Sequence, residues 1–137
     1  MELIQLRGGG GLISFEELVL HDSTPIYQQI VQYVKHGMAG GTICDGDELP
    51  SRRVLSALLG VNPNTVQKAF RQLEEEGLIQ SRTGAKSCAA LSAATASRLR
   101  SELLREDIRP LVGALKQTGL TKEEALQLLD SMWEGEP

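Results

Sequence analysis

Val61-Asn62-Pro63-Asn64-Thr65-Val66-Gln67-Lys68-Ala69-Phe70-Arg71-Gln72-Leu73 is the stretch that decides the fold. Asn62 is a good helix cap, and Pro63 suits the first helical position, where its missing N–H costs nothing. Val66, Ala69, Phe70 and Leu73 then keep the i, i+3, i+4, i+7 register of a buried helical face. Asn64, Thr65, Gln67, Lys68 and Arg71 are left on the other faces. The helix is therefore anchored on one side and rich in hydrogen-bonding groups on the other.

Working upstream, Leu49-Pro50-Ser51 delivers the chain to a helix capped by Ser51. Val54, Leu55, Leu58 and Leu59 are its expected buried stripe, and Gly60 is placed to close it in the left-handed conformation. The next helix begins within two residues, which makes the connection a tight turn. Earlier still, Ser23-Thr24-Pro25 supplies a hydroxyl cap with proline at the first helical position. Ile26, Ile30, Val34 and Met38 follow at four-residue spacing, widened by Val31, until Gly40-Gly41 ends the pattern. Thr42 to Leu49, with the turn signal Asp45-Gly46-Asp47, reads as a short extended connection.

Downstream, Gly77 ends the third helix. Leu78 to Arg82, Thr83-Gly84-Ala85-Lys86 and the residues through Leu91 read as strand, tight turn and returning strand. Three helices and then a hairpin, over residues 23–91, predict a winged helix-turn-helix that is mainly α with a small β-hairpin wing. Residues 1–22 are expected to be a flexible N-terminal segment, because Arg7 is followed by the run Gly8 to Gly11. That run also reads as a purine-rich ribosome-binding sequence translated from a start codon set too early. Leu18, Val19 and Leu20 are candidates for a short strand or packing arm.

Residues 92–137 predict a helical tail. Leu99, Leu103, Leu104, Ile108, Leu111, Val112 and Leu115 mark a long amphipathic helix in which Pro110 should give a kink or a break. Gly119 closes it, and Thr121-Lys122-Glu123-Glu124 is a capping box opening a second helix with Leu126, Leu129, Met132 and Trp133 at helical spacing. Two helices alone make a thin layer. The expectation is a short two-helix dimerisation tail using Leu99, Leu103, Ile108, Leu111, Leu115, Leu126, Leu129 and Trp133; the alternative is a monomer whose tail folds back on its own winged helix.

The 137 residues carry a net charge of −4, an unpromising balance for a nucleic-acid binder until the chain is divided. Residues 1–22 hold one basic and four acidic groups, residues 23–91 seven and six, and residues 92–137 six and eight. Within 51–86, Arg52, Arg53, Lys68, Arg71, Arg82 and Lys86 face only Glu74, Glu75 and Glu76. The footprint on phosphate depends on such local clustering. A helix in the major groove must offer hydrogen-bonding side chains near its N-terminus. Asn64 and Gln67 have the amide geometry for adenine, Thr65 suits a base or a phosphate, and Lys68 offers charge to the backbone. Arg53 and the Arg82 to Lys86 hairpin flank them with further phosphate contacts. Against this stands the bland reading that these polar residues are a solvated face, and that the winged helix is a protein-interaction module without specific DNA binding.

Taken together, Pro25-Ile26-Tyr27-Gln28-Gln29-Ile30, Leu49-Pro50-Ser51 with Arg53, Val61-Asn62-Pro63-Asn64-Thr65-Val66, and Leu73-Glu74 through Gly77-Leu78-Ile79 resemble the GntR family of bacterial regulators. The compact tail is similar to the YtrA-type subfamily. The resemblance covers about half the chain and implies that Arg53, Asn62, Asn64, Thr65, Gln67 and the wing-tip Thr83-Gly84 meet DNA. Ser51, Arg52, Lys68 and Arg82 complete the candidate DNA-binding set. The sequence departs from the family at Arg52, where relatives often carry a non-basic residue. It departs again after Gly84, where Ala85-Lys86-Ser87-Cys88-Ala89-Ala90 replaces a further glycine and bulky apolar residues.

The expected function is a sequence-specific DNA-binding transcription regulator, a repressor by preference, recognising an inverted-repeat operator as a cytoplasmic homodimer. No paired acids, nucleophile with base, or phosphate-cradling loop occurs at usable spacing, so no enzyme and no catalytic residue is expected. Cys44, Cys88, His21 and His36 lack partners at ligand spacing, so neither metal nor disulfide is expected, and the thiols suit a reducing cytosol. At this length no pyridoxal-phosphate-binding domain is expected, and no cofactor. No apolar run approaches the roughly 20 residues of a membrane span. A small-molecule effector and the operator sequence are left open.

Overall fold

The computed structural model describes residues 11–82 and 86–135. They form two compact units that divide between Arg100 and Ser101. In chain order the elements are α1 (Ile26–Gly40), α2 (Arg52–Leu59), α3 (Pro63–Glu75), β1 (Ile79–Arg82), β2 (Lys86–Ala89), α4 (Ala93–Gln117) and α5 (Lys122–Trp133). The three helices and antiparallel hairpin expected of a winged helix-turn-helix are present, and α4 spans the division between the units.

In the first unit, α3 packs against α1 and α2. Its inward face is the expected one, with Val66, Ala69, Phe70 and Leu73 buried, and the helix it packs on, α1, buries Ile30, Val31, Val34 and Met38 with Gln29 and Ala39. The start of α1 differs from expectation. Pro25 is the cap residue, at φ −57° and ψ 140°, with no side-chain cap bond. Buried Gln29 closes this corner instead: its Nε2 donates to the carbonyls of His21 (2.7 Å) and Thr24 (2.8 Å), and its Oε1 accepts from the His21 amide. Ser23 Oγ turns away to His21 Nδ1.

The buried stripe of α2 is narrower than its sequence suggests. Leu55 and Ser56 are buried, whereas Val54 and Leu58 are 56% and 55% exposed. An eight-residue helix lying against α3 covers one side only. Ser56 is buried because it locks the helix-turn-helix corner: its hydroxyl donates to the Val61 carbonyl at 2.5 Å, and its own carbonyl accepts from the amides of Gly60 and Val61. Gly60, at φ 70°, makes the left-handed step that this requires.

β1 and β2 pair as Ile79↔Ala89, Gln80↔Cys88, Ser81↔Ser87 and Arg82↔Lys86. The far edge of β2 is also occupied. Leu49 N donates to Ser87 O, Ala89 N to Asp47 O and Gly46 N to Ala89 O, at 2.7–2.9 Å. Beyond this connection lies the start of the described chain, with Glu48 N donating to Gly11 O and Ile13 N to Glu48 O, both at 2.7 Å. Buried Asp47 ties the corner by accepting from the amides of Gly11 and Cys44. Ser87, Cys88 and Ala89 are buried, with β1 paired on one edge of the strand and the Gly46 to Leu49 connection on the other.

The packing arm is therefore Leu12 to Phe15 and not Leu18 to Leu20. Ile13 and Phe15 are buried, the Phe15 ring lies 5.1 Å from that of Tyr33, and Tyr33 donates to the Ser14 carbonyl, whereas Val19 is 79% exposed. The flexible reading of residues 1–22 does not extend to these positions; Arg7 and Gly8 to Gly10 lie outside the described residues.

The first unit also continues past residue 91. Leu99 is 1% exposed, and Arg100 Nε and Nη2 both donate to the Ala39 carbonyl at the end of α1. Leu99 is thus core in its own chain, and Leu103 is buried as well, so neither has surface to offer a second subunit.

In the second unit α4 runs unbroken through Pro110, Gly119 takes a left-handed φ of 83°, and the capping box at Thr121 and Glu124 is formed in both directions. Leu104, Ile108, Leu111 and Val112 of α4, and Leu126, Leu128, Leu129, Met132 and Trp133 of α5, are exposed. Leu115 is half-buried. Among the described residues no helix is long and apolar enough to cross a membrane, and Cys44 and Cys88 are free thiols.

Candidate nucleic-acid interface

The first two turns of α3 form the centre of the candidate surface. Asn62 caps the helix, its Oδ1 accepting from the Asn64 amide at 2.7 Å, so this acceptor is committed to the backbone. Asn64 and Lys68 are exposed, and Thr65 and Gln67 are half-buried beside them. Lys68 Nζ stands 4.2 Å from the centroid of the Tyr27 ring, a cation–π contact that joins α3 to the start of α1. Pro25, Ile26, Tyr27, Asn64, Thr65 and Lys68 line an open groove of about 520 Å3. Tyr27 was missed as a lining residue: its spacing to Val31 and Val34 puts it on the core side of α1, and only the packing of α1 on α3 brings it beside Lys68.

The residues at the start of α2 separate into two kinds. Arg53 is exposed. Ser51 spends its hydroxyl on the Val54 amide, and Arg52 folds inward, with its guanidinium carbon 4.9 Å from the centroid of the Phe70 ring and Nη2 4.0 Å from Glu74 Oε2. Arg52 is thus not a projecting cation like its neighbour. The side chain of Arg82 and the wing tip Thr83-Gly84 lie outside the described residues.

Two members of the acidic trio are engaged internally. Glu74 meets Arg52 and accepts from Ser81 Oγ at 2.6 Å, while Glu76 pairs with Lys35 at 2.8 Å and accepts from Gln72 Nε2. Burial raises the Glu76 carboxyl, but hydrogen bonds from Lys35 and Gln72 and the charges of Lys35 and Arg98 outweigh it, leaving the group below its ordinary value. On the opposite side of the account, Lys86 is shared with Glu48 at 3.5 Å. Among the described residues, Arg53, Lys68 and Arg71 have no carboxylate at salt-bridge distance. The local charge facing solvent around α3 is therefore positive, although the chain as a whole is acidic.

A tight helix-turn-helix, a capped third helix with a polar outer face and a hairpin wing define a DNA-binding transcription regulator of the winged helix-turn-helix class. Residues 26–86 match the family model "Bacterial regulatory proteins, gntR family". The chain is 34% identical over 113 residues to the HTH-type transcriptional regulator YhcF of Bacillus subtilis, covering 82% of this chain and 93% of that protein. It belongs to the GntR family. The HTH-type transcriptional repressor YtrA of the same organism is 48% identical over 62 residues, 45% of this chain and 48% of YtrA. A GntR family transcriptional regulator from Listeria monocytogenes has a similar structure, with a TM-score of 0.72 and 29% identity over 82% of this chain and 98% of that one.

Proposed function

We propose that this regulator binds an inverted-repeat operator as a homodimer in the cytoplasm and represses the genes beside it, acting by binding alone. The observation that carries the reading is the outer face of α3. Asn64 and Lys68 project from its first two turns, Thr65 and Gln67 adjoin them, and Arg53 flanks them. Asn64 and Gln67 would read base edges, and Lys68, Arg53 and the wing residues Arg82, Thr83 and Gly84 would hold phosphate. Asn62 and Ser51 would act through their caps.

The exposed apolar residues of the second unit support a dimer. Ile108, Leu111, Leu126, Leu129 and Trp133, joined by Leu104, Val112, Leu128 and Met132, form the proposed contact, with half-buried Leu115 behind them. A two-fold pair would present two copies of α3 to half-sites about one helical turn apart. Repression is supported by the likeness to YtrA.

Gel shifts with DNA from upstream of the protein's own gene, against a scrambled control, test the reading. Operator binding should survive physiological salt and fall steeply as salt rises, with log affinity linear in log salt. Equal affinity for operator and scrambled DNA would overturn it.

A further inference from the structure

Glu74 holds together three parts of the winged helix that are separate in sequence. It sits near the end of α3, and its Oε2 accepts from Ser81 Oγ on β1 at 2.6 Å and lies 4.0 Å from Arg52 Nη2 at the start of α2. Arg52 in turn lies against the face of Phe70, a core residue of α3, and its Nε is buried without a hydrogen-bond partner among the described residues. Ser81 shares a strand face with buried Ile79, two residues away, so its hydroxyl is held on the side of β1 that packs on α3.

A carboxylate on a head that meets phosphate lowers affinity by repulsion unless it is compensated. Here the compensation is local and covers the point where the wing leaves the helix. We propose that Glu74 is a positioning residue: through Ser81 it fixes the first wing strand against α3, and Arg52 supplies the counter-charge, so that all three set DNA affinity without touching DNA. This rests on the DNA-reading function proposed above and removes Arg52 from the contact set.

The test uses the full chain on operator and scrambled DNA across a salt series. Ser81→Ala and Glu74→Ala should each weaken operator binding about three- to tenfold, the scale of one hydrogen bond, and the double variant should be no worse than the weaker single. Scrambled DNA should weaken by a similar factor, because the contacts proposed for the wing are to phosphate. Glu74→Gln keeps an oxygen for the Ser81 hydroxyl and should recover most of the loss. Arg52→Met, which keeps an apolar stem on Phe70, should leave the salt slope unchanged, whereas Lys68→Met should lower it by about 0.9 per subunit.

Tighter binding of both DNAs by Glu74→Ala would show a merely repulsive charge, and a reduced slope for Arg52→Met would show a phosphate contact; either overturns the proposal, as does wild-type affinity in Ser81→Ala. Wild-type protein that does not discriminate operator from scrambled DNA overturns the DNA-reading function itself, and this inference with it.

Discussion

Asn62 and Asn64 are the same residue two positions apart with opposite duties. The Asn62 oxygen is bound to the Asn64 amide, whereas the Asn64 side chain is exposed. Asn62→Ala should therefore destabilise the fold by about 1 kcal/mol, the usual loss of a helix cap, read as a lower denaturation midpoint. Asn64→Ala should leave that midpoint unchanged and cost roughly 1–3 kcal/mol of discrimination at one base position, read by binding to singly substituted operators. Lys68→Ala should instead weaken all sequences alike. The cap was legible in sequence because Asn-Pro fixes its own geometry. Arg52 was not: its placement depends on the Phe70 ring, which only the packing of α2 on α3 brings near.

At the level of elements, periodicity located every helix, since each has a buried face at helical spacing or a cap that names its start. It overestimated the buried stripe of α2, because periodicity reports which residues share a face and not how much of that face a short neighbour covers. It also missed the extra strand-like pairings at β2. Ser87, Cys88 and Ala89 look poor for a strand until the connection at Asp47 to Leu49 closes over them. The end of α3 carries a pH prediction. The folded Glu76 carboxyl lies below its ordinary value, so the unfolded chain binds more protons as the medium is acidified. Its contribution is complete above the unfolded glutamate value, about 4.3, and is lost as pH falls through the lower folded value. The stability gap between wild type and Glu76→Gln should be constant near neutrality and close on acidification. A gap that instead opens toward acid would contradict the sign.

For the molecule as a whole, the tail expected from residue 92 is divided in structure, since Leu99 and Arg100 belong to the winged-helix unit. Amphipathic spacing runs continuously through α4 and gives no mark of where its partner changes. A chain ending at Arg100 should stay folded, sediment as a monomer and bind a half-site weakly, with full-operator binding severely reduced. One ending at Leu91 should in addition be less stable by about 2–5 kcal/mol, the scale of emptying a core leucine site. A dimer persisting after removal of residues 101–137 would contradict the tail assignment. The extended arm at Gly11 to Phe15 is a structural member joined to α1 through a mostly exposed stretch at Glu16 to Thr24. A single protease cut in that stretch would leave a two-piece protein whose smaller fragment stays seated by its pairing with Glu48 and by the Phe15 ring. A recognition head transplanted onto another tail must accordingly bring this front edge with it.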